Sequence, residues 1–498
     1  MSIKSFIAKI WAKQAVHKNY RLHKNAEKNQ LMLLHELLQS AANTAFGIDF
    51  HFAQIKDYKQ YSSTIPLHVY EKLEPYIQRI LAGEENVLWK GKPIYFAKTS
   101  GTTSGEKYIP ITKESINHHI VAARNALFFY IHETGNTDFI EGKMIFLQGS
   151  PILDNKANIS TGRLSGIMYH HVPAYLHKNR KPSYAVNCIE NWEQKVDAIV
   201  EETIAEPMTL ISGIPPWLVM YFEQLLKKSG KNNLITLFPK LSLLVYGGVN
   251  YQPYQKKIKA LMGKDIDSIE TYPASEGFIA YQDKQRQDGL LLNLDAGIFY
   301  EFIEEKETQT INPKRLHIGE VTLETNYAIA LSTNAGLWSY LIGDVIKFTS
   351  LQPYRIKVTG RISQYISAFG EHVIIEEIEY CMSKAIEKFN LQVTEFTVAP
   401  QVNPSEGLPY HEWFIECDGM NHDMDIIASY IDELLQSKNS YYKDLIVGQV
   451  IQSLKINLLV PHTFEKYLTA QGKMGGQNKV MRVRNDREMV DLLLGLQS

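Results

Sequence analysis

"PIYFAKTSGTTSGEKYIPIT", residues 93–112, sets two apolar, extended-looking runs on either side of a short polar stretch with glycines at 101 and 105. Tyr95, Phe96 and Ala97 precede it, and Tyr108, Ile109 and Ile111 follow it. Between them stand Thr99, Ser100, Thr102, Thr103 and Ser104. Apolar runs bounded by a glycine turn predict strand, loop, strand. The hydroxyls give the loop a chemical character as well. Glycines let backbone N–H groups turn inward, and the side chains add donors, so the stretch is suited to wrapping phosphate oxygens. It is not the phosphate loop GxxxxGK[ST], because only three residues separate Gly101 from Gly105 and Lys107 stands one place too late. A polar hairpin loop without a ligand is the alternative.

Outward from this stretch the grain alternates. Residues 1 to about 60 read as helical, with Leu31, Leu33, Leu34, Leu37 and Leu38 forming an apolar stripe. A long helix is expected from Lys113 to about Thr134, then a buried strand in "KMIFLQGS" (143–150). "AEPMTLISGIPPWLVMYFEQLLKKSG" (205–230) reads as a strand, a turn and a helix that tolerates proline in its first turn, and "LSLLVYGGVN" (241–250) as another buried strand. Strands alternating with helices imply a mainly parallel sheet in an α/β fold. After about 290, "GLLLNLDAGIFYEFIEE" and "LSTNAGLWSYLIGDVIKFTS" show period-two alternation and little helix, so antiparallel strands and a small β-barrel-like part are expected. From 361 a new order of helix, two strands and helix predicts an α+β domain. The expected division is 1–360 and 361–498, with the boundary in "VTGRISQY" (358–365).

Length and composition agree with this picture. A chain of 498 residues exceeds the usual span of one core. Apolar residues at 45% and charged residues at 21% are those of a folded protein, not a disordered one. The net charge of −2 gives no global attraction to nucleic acid or to an anionic membrane, so neither is expected as a partner. Cys188, Cys381 and Cys417 are far apart with no CxxC pair, which argues for a reducing, cytoplasmic setting and against a cysteine-rich zinc site. The N-terminal segment, lysines interleaved with apolar residues at helical spacing, reads as an amphipathic helix packed on the core. A membrane-surface helix is the alternative.

Four further places carry candidate chemistry. In "ETYPASEGFIA" (270–280), Tyr272 can stack a planar base and Glu276 can offer oxygen to Mg2+. In "GLWSYLIGDVIKF" (336–348), the Asp344 carboxylate can accept from vicinal sugar hydroxyls. Arg361 stands beside the expected linker, as a ligand contact or a structural ion pair. The pairs His118–His119 and His170–His171 lack the Asp-Gly of a condensation-type acyltransferase and lack metal partners at ligand spacing.

The order of these pieces is more specific than any one of them. A hydroxyl–glycine loop, Y-x-x-S-E, G-D, then G-R is the running order of adenylate-forming enzymes of the acyl-activating superfamily. "TSGTTSGEKYIPIT", "YPASEG" and "GLWSYLIGDVIKFT" more closely resemble the three nucleotide motifs of the Gretchen Hagen acyl acid-amido synthetase family. "LLQSAANTAFGIDF" (37–50) and "GGQNKVMRVRNDRE" (475–488) also look like that family. The resemblance implies a firefly-luciferase-like architecture: a large domain for acyl group and ATP, and a small mobile C-terminal lid.

The resemblance also implies roles. Thr99, Ser100, Thr102 and Thr103 with the Gly101 and Gly105 backbone would hold the β- and γ-phosphates, with Lys107 a further phosphate contact. Tyr272 would lie against adenine, Ser275 would touch phosphate and Glu276 would bind Mg2+. Asp344 would take the ribose hydroxyls with Arg361 nearby, and Lys479 would swing toward the α-phosphate. ATP and Mg2+ are the implied cofactors, and a small carboxylic acid and an amino acid the implied substrates. Coenzyme A as acceptor, or a nucleotide-binding regulatory protein without turnover, are the alternatives. Plant members read GLYRYRVGD where this chain has "GLWSYLIGD", so Ser339 and Leu341 replace two arginines and hormone specificity does not carry over.

Overall fold

The computed structural model describes residues 3–99, 107–172, 178–189, 192–308, 310–362, 365–418, 423–470 and 480–497. The opening stretch folds as its pattern requires. Strand Tyr95–Thr99 pairs antiparallel with Lys107–Ile111, and Thr99 stands opposite Lys107 at the root of the polar loop. Parallel to Tyr95–Thr99 runs Ile159–Gly162, which pairs in turn with Asp154–Lys156 to complete a four-stranded sheet. The helix Lys113–Thr134 starts at a capping box, the Thr112 hydroxyl accepting from Ser115 N–H while Ser115 Oγ accepts from Thr112 N–H. It stops at Gly135, whose φ of 70° is the left-handed cap that glycine adopts without strain.

The second and larger sheet has eleven strands. Its parallel part runs Asp267–Ala274, Leu243–Gly247, Met208–Ser212, Lys143–Phe146, Arg180–Lys181, and helices such as Pro215–Ser229 cover it. On the other side of Asp267–Ala274 every junction is antiparallel: Gly277–Tyr281, Leu290–Leu292, Tyr354–Arg361, Tyr340–Leu351, Asn326–Thr333 and Ile298–Glu304. The antiparallel strands expected after residue 290 therefore exist, and among the described residues their hydrogen bonds extend the parallel sheet. The reason is the hairpin Asp267–Ala274 to Gly277–Tyr281, which reverses the chain inside the sheet and hands its edge to the later strands.

The C-terminal part is a three-stranded sheet, Gln392–Gln401, Tyr410–Asp418 and Lys455–Leu459, with helices Ile375–Phe389 and Met424–Lys438 against it. Trp413 is fully buried there and stacks on Phe396 at 6.1 Å. This part does not stand off from the rest. A single apolar cluster runs from Ile211, Leu218 and Phe222 through Ile366 and Phe369 to Trp413 and Ile431. The Tyr254 hydroxyl, from the large part, donates to Ala368 O at 2.6 Å.

The N-terminal helix Ile3–Lys24 packs along Lys113–Thr134, as an amphipathic packing helix should, but with its small side chains inward. The residues it buries are Ser5, Ala8, Ala12, Val16, Asn19 and His23, while Ile3, Phe6, Ile7, Ile10 and Trp11 face outward. Small side chains at 8 and 12 let the helix settle on Ala122 and Ala126, in the same apolar cluster. Among the described residues no helix is long and apolar enough to cross a membrane.

Candidate active site

Two strands deliver the first pair of functional side chains. Gly343 has φ of 87°, a conformation glycine supplies at no steric cost, and the chain turns there into Asp344. In the hairpin Tyr340–Leu351 to Tyr354–Arg361, Asp344 is the register partner of Arg361. Arg361 Nε pairs with Asp344 Oδ1, while Asp344 Oδ2 accepts from the Tyr272 hydroxyl of Asp267–Ala274. Residues 72 positions apart on either side of one sheet thus share a carboxylate that is only 7% exposed. The Arg361 guanidinium also lies over the Tyr365 ring at 4.3 Å. Burial works against its charge, yet the Asp344 carboxylate beside it holds Arg361 above its ordinary range.

The hairpin turn Ser275–Glu276 begins three residues after Tyr272, because Ala274 pairs with Gly277. Burial pushes the Glu276 carboxyl up; Arg361 and Lys107 pull it back, and Asp344 adds to the rise. Lys107 is pushed down by burial and held up in part by Glu71 and Glu276. Its ammonium lies 5.5 Å from the centre of the Tyr70 ring, whose hydroxyl accepts from Tyr108 N–H. Tyr272, Glu276, Asp344, Arg361 and Lys107 therefore feel one another's charge in one place, and Thr99 pairs with the last of them. Ser100, Gly101, Thr102, Thr103, Gly105 and Lys479 lie outside the described residues.

Chemically the cluster combines two cations, two carboxylates and aromatic faces. Glu276 offers the oxygen that a hard divalent cation accepts, and Mg2+ bound with a nucleotide needs only one or two such carboxylates because phosphate and water supply the rest. Tyr70, Glu71, Tyr340 and Tyr365 belong to the surroundings of this cluster and were not singled out by sequence. Tyr340 feels Glu276 and Glu71, and lies four residues before Asp344.

The C-terminal part reaches this region. The Tyr441 hydroxyl donates to Lys98 O at 3.1 Å, one residue before Thr99. Arg163 covers the Tyr441 ring at 4.1 Å and pairs with Asp444 at 2.5 Å. The histidine pairs are occupied structurally: His118 bonds Asp295 O, His170 bonds Pro151 O and His171 bonds the Tyr95 hydroxyl, while burial pushes His119 down to about 4. Among the described residues no cluster of His, Cys, Asp and Glu is arranged for a metal. Away from this cluster, Arg315 donates to Ser339 Oγ, which donates to the buried Glu301 carboxylate.

The chain resembles known proteins over most of its length. The GH3 family N-terminal, central and C-terminal domain models match residues 15–266, 291–361 and 376–488. The jasmonoyl–L-amino acid synthetase GH3.5 of Oryza sativa subsp. japonica is 22% identical, with 91% of each chain covered. The indole-3-acetic acid-amido synthetase GH3.3 of Arabidopsis thaliana is 20% identical over 94% of this chain and 91% of its own. Among solved structures, GH3.15 acyl acid amido synthetase superposes with a TM-score of 0.61 at 17% identity, covering 95% of this chain and 94% of its own. A 2-hydroxyisobutyryl-CoA ligase bound to an acyl-adenylate and CoA gives 0.60 at 13% identity, covering 95% and 92%. These last two likenesses are of fold, and the matched family models, which take in most of the sequence, show that the chain belongs to the GH3 family.

Proposed function

We propose that this protein is an ATP-dependent acyl acid-amido synthetase. An oxygen of a small carboxylate attacks the α-phosphorus of ATP, the bond to pyrophosphate breaks, and an acyl-adenylate forms. The amine of an amino acid then attacks the acyl carbon, the bond to AMP breaks, and the nitrogen gives up its proton as the amide forms. The observation that carries this reading is the convergence of Tyr272, Glu276, Asp344, Arg361 and Lys107 at the root of the hydroxyl–glycine loop. No protein nucleophile is needed, since the substrate itself attacks phosphorus. The enzyme's work is alignment and neutralisation of charge.

In this reading Thr99 and the loop residues Ser100, Gly101, Thr102, Thr103 and Gly105 hold phosphate oxygens, with Ser275 and Lys107 beside them. Asp344 exchanges its bonds to Tyr272 and Arg361 for the ribose hydroxyls, and Tyr272 turns its ring to adenine. Mg2+, when bound through Glu276, supplies neutralisation of phosphate charge. Residues 361–498 act as a lid that carries Lys479 toward the α-phosphate for the first step and away for the second. Cys188, Cys381 and Cys417 form no disulfide with one another, which fits a reducing cytoplasmic setting.

The test is a panel of carboxylic acids offered with ATP and Mg2+, with amino acids and coenzyme A as competing acceptors, followed by mass spectrometry of pyrophosphate, AMP and conjugate. Acid-dependent pyrophosphate release with an amide product is the expected result. A thioester in its place assigns the protein to acyl-CoA ligation, the chemistry of the second structural relative. No acid-dependent release from any member of a broad panel would refute turnover.

A further inference from the structure

The N-terminal helix presents two unlike faces. One is small and buried against Lys113–Thr134. The other carries Ile3, Phe6, Ile7, Ile10 and Trp11 at spacings of three and four, the periodicity of one apolar stripe. These side chains are open to solvent: Ile3 by 80%, Phe6 by 59% and Trp11 by 56%. A stripe of large apolar groups on the outer side of a helix whose inner side is already seated has no role in the core. Exposed contiguous apolar surface of this kind marks a contact with something else.

The charges beside the stripe indicate what that is. Residues 1–26 contain Lys4, Lys9, Lys13, Lys18, Arg21 and Lys24 and no carboxylate side chain. By helical position Lys9 and Lys13 flank the stripe on one side and Lys4 and Lys18 on the other. Lys18 is engaged with Asp295 at 2.5 Å, whereas among the described residues no carboxylate pairs with Lys4, Lys9 or Lys13. The rest of the chain therefore carries the excess acidity behind a net charge of −2, while this one helix is uniformly basic. The helix is also held in place along its length. Ser5 bonds Glu141, the Tyr20 hydroxyl donates to Asp283, and Asp283 is fixed by two bonds from the buried Arg355.

From this geometry we infer that the outer face of Ile3–Lys24 is a membrane-surface docking site. The apolar stripe enters the acyl boundary of an anionic leaflet, and Lys4, Lys9 and Lys13 lie against its phosphate headgroups. An aromatic and aliphatic face bordered by lysines is the arrangement that lies in the plane of such an interface. Anionic lipid is favoured over a second copy because a self-association through this face would bring like charges together. Docking here holds the protein by its large part and leaves residues 361–498 untethered.

The experiment uses the full chain with two vesicle preparations, phosphatidylcholine alone and phosphatidylcholine mixed with phosphatidylglycerol, scored by co-sedimentation across a salt series. The expected result is binding to the mixed vesicles that weakens as salt rises. Lys4→Glu with Lys9→Glu and Lys13→Glu should lower the affinity on the order of a hundredfold, from about fivefold per lysine near an anionic surface. Phe6→Ser with Trp11→Ser should abolish binding to both preparations. Lys4, Phe6, Trp11 and Lys13 are exposed and Lys9 is half-buried, so circular dichroism and melting should stay close to the parent. Equal sedimentation with neutral and mixed vesicles, or unchanged binding by the Phe6/Trp11 variant, overturns the inference. So does a dimer in solution that this variant dissolves, which would make the face a self-association surface.

Discussion

Replacing Asp344 with Asn separates a binding role for the shared carboxylate from a structural one. In the structure this carboxylate holds both the Tyr272 hydroxyl and the Arg361 guanidinium. If its purpose is structural, the substitution leaves a guanidinium without its counter-charge, and breaking a fully buried pair in this way costs about 3–5 kcal/mol. Arg361 is not fully buried, however. Its side chain is 28% exposed, so water reaches the orphaned charge, and the Asn carbonyl still accepts one of the two bonds. The expected loss of stability is accordingly about 1 kcal/mol. The ligand side is larger. Two ribose hydroxyls donating to a charged acceptor gain about 1.5–3 kcal/mol each, and an amide retains part of that. A net loss of about 2–3 kcal/mol raises the dissociation constant for ATP by roughly 30- to 150-fold. Calorimetric titration with a non-hydrolysable ATP analogue, alongside urea unfolding, measures both quantities. A variant that binds the analogue normally but unfolds with a loss of several kcal/mol would refute the reasoning and make the triad a brace between strands.

Glu276→Gln should trade activity for stability. Burial holds this carboxyl above the usual range, so the folded chain binds its proton more tightly than the unfolded chain. Ionisation therefore costs stability as pH rises from the ordinary Glu value, near about 4.3, through the raised one. At about pH 7 the Gln variant should be more stable by roughly 1 kcal/mol, with the difference vanishing in acid, while pyrophosphate release falls to background. A pH-independent difference in melting, or retained release, contradicts this. Arg163→Ala and Tyr441→Phe should each change unfolding free energy by less than about 1 kcal/mol, because the Arg163–Asp444 pair is largely solvated. Both should nonetheless speed amide hydrogen exchange in Ser440–Val447, since they remove the contacts that hold that helix at Lys98. Unchanged exchange would show that the apolar cluster alone seats the C-terminal part.

What the sequence discloses and what it hides follow from the range of the interactions involved. The strand pair around the hydroxyl loop and the helix Lys113–Thr134 are legible because period-two apolar flanks, a capping box and a terminal glycine all act within a few residues. The joining of two differently patterned halves into one eleven-stranded sheet is not, since each strand's alternation records which face is buried and not which neighbour it pairs with. The Asp344–Arg361 contact lies between these cases. Counting outward from the tight turn at 352–353 places Asp344 opposite Arg361, and the two irregularities in the hairpin compensate, so the register survives to the site. Tyr272 joins them only through the folded sheet.

The N-terminal helix shows the same principle from the other side. Amphipathic spacing reports that Ile3, Phe6, Ile7, Ile10 and Trp11 share a face, but it does not say which face the core takes. Here the decision falls to the partner helix. Ala122 and Ala126 form a shallow surface that Ala8 and Ala12 fit at close range, and a face of Phe and Trp would hold the two helices apart. Backbone proximity thus wins over the area that the larger side chains could have buried, and that choice leaves an apolar stripe, ringed by lysines, on the outside of an otherwise slightly acidic protein.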